Sequence, residues 1–144
     1  MSVVTVGREH LHAIAAIEAL SFGEPWSEQA LELLLGDTAF GLACLDEEGV
    51  PVAYIGVLTV LDEGQITNVA THPDFRRCGL ADKLLTALME QARKKGLLTL
   101  TLEVRESNTA AIALYQKHGF AVVGKRNYFY SNPREHALVM LCSL

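Results

Sequence analysis

The stretch Arg76-Arg77-Cys78-Gly79-Leu80-Ala81 joins an apolar, strand-like segment to a strongly helical one. A helix N-terminus presents backbone N–H groups that have no intrahelical partner, together with the positive end of the helix dipole. Gly79 and Ala81 leave this backbone open to a bulky anion, and the two arginines add positive charge. The stretch therefore indicates a pyrophosphate cradle, and a loop with solvated arginines is the competing interpretation. It is neither a Walker loop nor a dinucleotide fingerprint, because the glycines that these motifs require are absent.

Strand-like and helical segments extend from this loop in both directions. Apolar periodicity predicts helices over 8–20, 28–35, 80–95 and 107–118, and strands over 40–45, 51–61, 65–71, 97–104, 120–125 and 136–141. Ser27 is a plausible N-cap, and Gly96 is suited to follow the end of the long helix. Hairpin-linked strands followed by two strand–helix alternations predict a mixed sheet with helices on both faces.

Two further segments carry candidate polar groups. Leu98, Leu100, Leu102 and Val104 alternate along the strand 97–104, so Glu103 points to the opposite face. An isolated Glu at such a position commonly forms a salt bridge, here with Arg105 or another basic residue, so a structural role remains open. Asn108 and Tyr115 lie on one face of the next helix, roughly 10 Å apart. A core tyrosine and a helix-capping asparagine are the alternatives for these two.

Composition limits the class of protein. The chain has 144 residues, 50% of them hydrophobic, and a formal net charge of −5. This length predicts one domain, residues 1–144. The acidic balance argues against direct nucleic-acid binding and suits a cationic partner. Three scattered cysteines, no basic leader before an apolar run, and no apolar stretch of about 20 residues predict a cytoplasmic protein without disulfides or a membrane span. The histidines and cysteines lack ligand spacing, so no metal is expected.

The motifs also occur together, in one order, in a known superfamily. That order is Arg76-x-x-Gly79-x-Ala81, a strand ending near Glu103, and then Asn108 and Tyr115. It resembles the GNAT superfamily of acyl-CoA-dependent N-acetyltransferases over most of the chain. More narrowly, it resembles the RimI-type enzymes, which acetylate the N-terminal alanine of a small-subunit ribosomal protein. The runs behind the narrower resemblance are FGEPWS at 22–27, LEVRESN at 102–108, AAIALY at 110–115, GF at 119–120, RNY at 126–128 and RE at 134–135.

The resemblance implies an α+β, three-layer αβα fold. Its sheet is mixed and mostly antiparallel, and a central parallel pair, here 65–71 and 97–104, splays apart to admit acetyl-CoA. The backbone of Val69, Ala70 and Thr71 would hold the acetyl-pantetheine arm, and Asn108 would contact the pantetheine. The pyrophosphate would be held by the loop and first helical turn, namely Arg76, Arg77, Cys78, Gly79, Leu80, Ala81 and Asp82.

The resemblance also implies direct transfer without a covalent acyl-enzyme. Glu103 would act as the base that deprotonates the substrate ammonium, through water if the carboxylate sits back from the amine. Tyr115, with an ordinary pKa of about 10, would protonate the leaving thiolate. Trp26, Tyr128 and Tyr130 would form the walls of a groove for a basic protein N-terminus, with a ribosomal protein as the expected partner. A structural role as partly buried aromatics stays open for Trp26 and one of the tyrosines.

Three positions depart from the resemblance, and two other functions stay open. Ala81 stands where RimI-type enzymes usually carry glycine, the segment 129–133 looks short for such an enzyme, and His136 stands where an acidic residue is expected. The last two lie near the expected acceptor side. Acetylation of a lysine or a small-molecule amine is therefore an alternative, and a non-catalytic acyl-CoA-binding module is another.

Overall fold

The computed structural model describes all 144 residues, and a single seven-stranded sheet organises them. The strands are β1 Ser2–Thr5, β2 Ala39–Leu45, β3 Pro51–Val60, β4 Glu63–Thr71, β5 Thr99–Arg105, β6 Ala121–Tyr130 and β7 Glu135–Ser143. The α-helices are α1 Leu11–Ser21, α2 Glu28–Leu31, α3 Leu80–Lys94 and α4 Thr109–Lys117, with 3-10 turns at Arg8–His10, Glu32–Leu35 and Pro73–Phe75. The strand order is β1-β2-β3-β4-β5-β7-β6, and only β4 and β5 run parallel.

Helices cover both faces of the sheet, and each face has its own apolar core. On one face, Leu84 and Leu88 of α3 pack in a core that also takes Tyr115 of α4. On the other face, Ile14 and Ile17 of α1 form a second core with strand residues of β2 and β3. This is the three-layer αβα arrangement expected from the sequence.

The central parallel pair splays apart after a short contact. Residues Glu63–Gln65 of β4 pair with Thr99–Thr101 of β5, and beyond them the two strands have no pairing. The pairing of β4 with β3 shifts register at Thr67, so this residue forms a bulge. As a result Ile66 packs in the α3 core, whereas Ala70 packs in the α1 core, although an even spacing would place both on one face. The bulge thus turns β4 where the gap opens.

The observed elements follow the predicted ones, with three differences. The sequence analysis missed β1, which is a four-residue edge strand paired with β2. Leu98 is wrongly placed on the buried face of β5: it precedes the strand and is 59% exposed. Strand β6 continues to Tyr130, so most of the segment 129–133 is a hairpin end.

Two predicted helix-end signals agree with the structure, whereas the helix predicted over 28–35 is α-helical only over Glu28–Leu31 and continues as the 3-10 turn Glu32–Leu35. The Ser27 hydroxyl accepts a hydrogen bond from Ala30 N, at 3.1 Å, and so caps α2. Gly96 has a φ of +79° directly after α3, the left-handed conformation in which glycine is favoured. None of the helices has both the length and the apolar character to cross a bilayer.

Candidate active site

A cleft of about 510 Å³ opens where β4 and β5 separate. Its walls come from the segment after α1, the middle of β4, the end of β5, the start of α4 and the end of the β6–β7 hairpin. Glu103, Asn108, Tyr115, Trp26 and Tyr130 all line it. With Val69, which also lines the cleft, six of the residues proposed from the sequence are brought together, although they lie up to about 100 positions apart in the chain.

Glu103 supplies an accessible carboxylate inside this cleft. It lies on β5 opposite Val139 of β7, and 32% of its side chain is exposed. The nearest cation is Arg126, whose Nε lies 3.6 Å from Oε1 of Glu103, beyond hydrogen-bond distance. Arg126 therefore lies near the carboxylate without a hydrogen bond that fixes it, so Glu103 can accept a proton directly or through water.

Tyr115 supplies a buried hydroxyl in the same cleft. The residue is 8% exposed and its ring packs against Phe120 at a centroid distance of 5.8 Å. Burial, with a smaller contribution from Tyr130, raises the pKa of Tyr115 to about 12. Burial and the negative charge of Glu103 also raise the pKa of Tyr130. Tyr115 therefore stays protonated near neutral pH and can donate a proton.

Arg105 holds the β6–β7 hairpin end against the cleft. Its Nη1 donates to Pro133 O at 2.9 Å and to Glu135 Oε1 at 3.2 Å, and its Nη2 donates to Ser131 O at 3.2 Å. The guanidinium also lies 4.4 Å from the centre of the Tyr130 ring. One side chain thus fixes both the hairpin backbone and the Tyr130 ring.

The turn from β5 into α4 is fixed by a carboxylate and a cap. Ser107 N donates to Glu135 Oε2, and this bond, followed by the interaction with Arg105, lowers the pKa of Glu135. Asn108 Oδ1 accepts from Ala111 N at 3.2 Å and caps α4. Asn108 therefore has the capping role left open by the sequence, and it also lines the cleft.

The gap beside β4 fits an extended polar chain such as a pantetheine arm. The edge of residues 66–71 that faces β5 has no neighbouring strand, so its backbone groups are available to a ligand. Val69 lines the cleft, whereas the side chain of Ala70 is buried in the α1 core. Thr71 O accepts a long hydrogen bond of 3.4 Å from Arg76 Nε.

The loop 76–82 lies at the other end of this gap and does not line the cleft. Gly79 has a φ of +75° and precedes α3, and no atom lies within 4 Å of the position that a Cβ would take. The first-turn amides of α3 are therefore approachable, as an anion requires. Leu80, the first residue of α3, has a buried side chain, and Cys78 is exposed.

Asp82, in the first turn of α3, is neutralised by α4. Lys117 Nζ lies 2.9 Å and His118 Nε2 lies 2.8 Å from its Oδ1, and these hydrogen bonds lower the pKa of Asp82. The carboxylate thus ties the two helices together and leaves only the backbone of residue 82 to meet an anion.

The sequence profile of the Acetyltransferase (GNAT) family matches residues 11–120. The chain belongs to this family. Members use acetyl-CoA as acyl donor, and the unpaired edge of β4 with the open α3 N-terminus fits that molecule. No group of three or more His, Cys, Asp or Glu side chains is arranged to hold a metal ion.

Among GNAT enzymes, the chain is similar to several that are named as acetyltransferases of a ribosomal protein. The "[Ribosomal protein bS18]-alanine N-acetyltransferase" of Escherichia coli K12 is 38% identical over 132 residues, which is 90% of this chain and 88% of the relative. The Haemophilus ducreyi protein of the same name is 35% identical over 141 residues, 96% of this chain and 97% of the relative. The crystal structure of the ribosomal-protein-S18-alanine N-acetyltransferase from E. coli superposes with a TM-score of 0.90 at 33% identity, covering 99% of this chain and 92% of that one.

One predicted acceptor-side residue does not reach the GNAT cleft. Tyr128 stacks against His136, with ring centroids 4.3 Å apart, and against the Arg134 guanidinium at 4.1 Å. Its backbone N–H donates to His136 Nδ1 at 2.9 Å. The irregular register of β6 after Arg126 accounts for this outward placement.

Two residues of this GNAT chain that support the cleft were not identified from the sequence. Arg105 was considered only as a partner for Glu103, because its real contacts lie 26 to 30 positions further on. Glu18 is fully buried behind the cleft and accepts hydrogen bonds from Trp26 and Asn68. A carboxylate four residues after Ile14, on the apolar face of α1, was the signal available in the sequence.

Proposed function

We propose that this chain, acting as one domain of residues 1–144, transfers the acetyl group of acetyl-CoA to the N-terminal alanine of ribosomal protein bS18. The observation that carries the proposal is the shared cleft of Glu103 and Tyr115 at the point where β4 and β5 part. The names of the relatives that are 35–38% identical over most of the chain support the choice of acceptor.

Glu103 would remove a proton from the substrate ammonium, which is not nucleophilic while it is protonated. Its partial exposure leaves room for a bridging water if the amine does not reach the carboxylate. Tyr115 would then donate its proton to the leaving sulfur, and its raised pKa of about 12 keeps that proton in place until it is needed. No cysteine takes part in this scheme.

Acetyl-CoA, as co-substrate, supplies an activated thioester. The backbone of Val69–Thr71 would hold its pantetheine arm along the open edge of β4. The N–H groups that start α3, after Gly79, would bind the pyrophosphate together with Arg76 and Arg77. Asn108 would contact the pantetheine from the start of α4.

The acceptor end of the cleft has the charge that an ammonium requires. Glu24 and Glu103 both line it, whereas the charge of Arg105 is met by Glu135 at 3.2 Å. Trp26 and Tyr130 would form the walls around the first residues of the peptide. This acidic lining favours a cationic N-terminus over a neutral or anionic acceptor.

A peptide panel tests the proposal. The panel contains an N-terminal Ala-Arg peptide, its N-blocked form, a lysine-containing blocked peptide and a polyamine, each with acetyl-CoA. We expect turnover of the free Ala-Arg peptide alone. Turnover only of the lysine peptide or the polyamine would favour a GNAT enzyme that acetylates lysine or a small-molecule amine. Binding of acetyl-CoA without any turnover would support a non-catalytic acyl-CoA-binding module.

Two variants test the assigned roles. Glu103→Gln is expected to lower kcat about 10²-fold or more and to remove the acidic limb of the pH–rate profile. Glu106→Gln is a matched control, because Glu106 carries an ion pair with Lys125 and does not line the cleft. Tyr115→Phe is expected to lower kcat and leave the acetyl-CoA KM within about twofold. Unchanged kcat in either variant would contradict the corresponding role.

A further inference from the structure

Glu18 is a fully buried carboxylate for which the proposed reaction has no use. It lies in the last turns of α1 with 0% exposure, and no lysine, arginine or histidine pairs with it. A buried charge is costly unless hydrogen bonds replace its hydration. The buried Glu18 carboxylate therefore requires hydrogen-bond donors, and the location of those donors indicates its role.

The donors come from two opposite walls of the cleft. Trp26 N, in the segment after α1, donates to Glu18 Oε1 at 3.0 Å. Asn68 Nδ2, next to the bulge of β4, donates to Oε1 at 2.9 Å and to Oε2 at 3.1 Å. Both Trp26 and Asn68 line the cleft. Glu18 thus joins, from behind, two walls that have no strand pairing with each other.

The surroundings of Glu18 leave it little freedom to move. Tyr54 of β3 is 1% exposed, and its hydroxyl has no hydrogen-bond partner. Burial and the negative charge of Glu18 raise the pKa of Tyr54. The phenol therefore stays neutral beside the carboxylate, and Tyr54 brings no positive charge to Glu18 from the β3 side.

We propose that Glu18 is a positioning residue that sets the separation between the Trp26 wall and the β4 wall, and so the affinity for the acceptor N-terminus. A carboxylate accepts from both walls at once. A glutamine that keeps its oxygen at the Oε1 position still accepts from Trp26 N, but its amide nitrogen then lies at the Oε2 position, 3.1 Å from Asn68 Nδ2, so two donors face each other and the contact with the β4 wall is weakened. The identity of the acceptor rests on the proposed function, whereas the position of the wall does not.

The test combines kinetics with the fluorescence of Trp26, which is the only tryptophan in the chain. For Glu18→Gln we expect the KM of the Ala-Arg peptide to rise about tenfold, with kcat and the acetyl-CoA KM within about twofold. We also expect Trp26 to become more accessible to acrylamide quenching. Glu28→Gln is the control, because Glu28 is exposed on α2 and pairs only with His12.

A double variant distinguishes positioning from general destabilisation. In Glu18→Gln combined with Asn68→Asp, the amide at position 18 donates to the new carboxylate while its oxygen accepts from Trp26 N. We expect this exchange to restore the peptide KM to within about threefold of the parent value and to restore the quenching. Rescue of both readouts is not expected if Glu18 only contributes to folding.

Each outcome supports or overturns the inference. Unchanged peptide KM and unchanged quenching in Glu18→Gln would overturn it. A lower kcat together with equal rises in the peptide KM and the acetyl-CoA KM, none of them restored in the double variant, would also overturn it. If Glu18→Gln does not fold, Asn68→Ala removes the β4 donor alone, and an unchanged peptide KM there would overturn it. If the parent protein acetylates no peptide, the proposed function fails, and the quenching series still decides whether Glu18 fixes the Trp26 wall.

Discussion

Replacing Arg105 by lysine isolates the contribution of the hairpin clamp. Arginine makes three hydrogen bonds here, with donor–acceptor distances of 2.9 to 3.2 Å, and covers the Tyr130 ring. Lysine has one terminal nitrogen and no planar group, so it can keep only part of this set. Hydrogen bonds from charged donors contribute about 1.5–3 kcal/mol when buried. Because the Arg105 side chain is 30% exposed, water replaces part of the loss, and we expect about 2 kcal/mol of destabilisation.

The assay pairs thermal denaturation with acceptor kinetics. A loss of about 2 kcal/mol corresponds to a fall in Tm of about 4–8 °C for a chain of this size. Release of the hairpin wall is expected to raise the KM of the Ala-Arg peptide about fivefold, equivalent to about 1 kcal/mol, with the acetyl-CoA KM unchanged. Arg8→Lys is the control, since Arg8 is 71% exposed and pairs only with Glu32. If Arg105→Lys matches Arg8→Lys in both Tm and peptide KM, the clamp reasoning is refuted.

Three further outcomes follow from single features of the structure. Gly79→Ala places a Cβ on a backbone with φ of +75°, which costs about 1 kcal/mol. The variant should bind CoA more weakly in calorimetry, and an unchanged affinity would contradict the proposed pyrophosphate cradle. Gly64→Ala would put a Cβ 2.7 Å from Leu100 Cδ2 in the parallel contact, so urea denaturation should show a loss of about 1–3 kcal/mol, and a neutral effect would mean that this contact can relax. Folding raises the pKa of Tyr115 from 10 to about 12. The protonated phenol therefore stabilises the folded state fully below pH 10, and this stabilisation is lost as the pH rises to 12. Tyr115→Phe should flatten the curve of unfolding free energy against pH over that range.

The pattern along the chain determined most of the sheet and the orientation of the catalytic candidates. The alternation along 97–104 places Glu103 opposite the buried Leu100, Leu102 and Val104, as observed. The glycine and arginines at 76–79 predict the open helix N-terminus that the structure has before α3. These features depend on neighbours within one turn or one strand, so they are readable from local sequence.

What only the tertiary structure decided is how the walls of the cleft are held. The bulge at Thr67 depends on the register with β3, and the short strand β1 depends on pairing with β2, about 40 residues away in sequence. Glu18 and Asn68 are 50 residues apart, and the contacts of Arg105 span 26 to 30 residues. The sequence by itself placed the candidate catalytic groups, because side-chain direction follows local periodicity. It did not place their supports, because a buried carboxylate or a half-buried guanidinium takes its partners from whichever strands the folded sheet brings beside it.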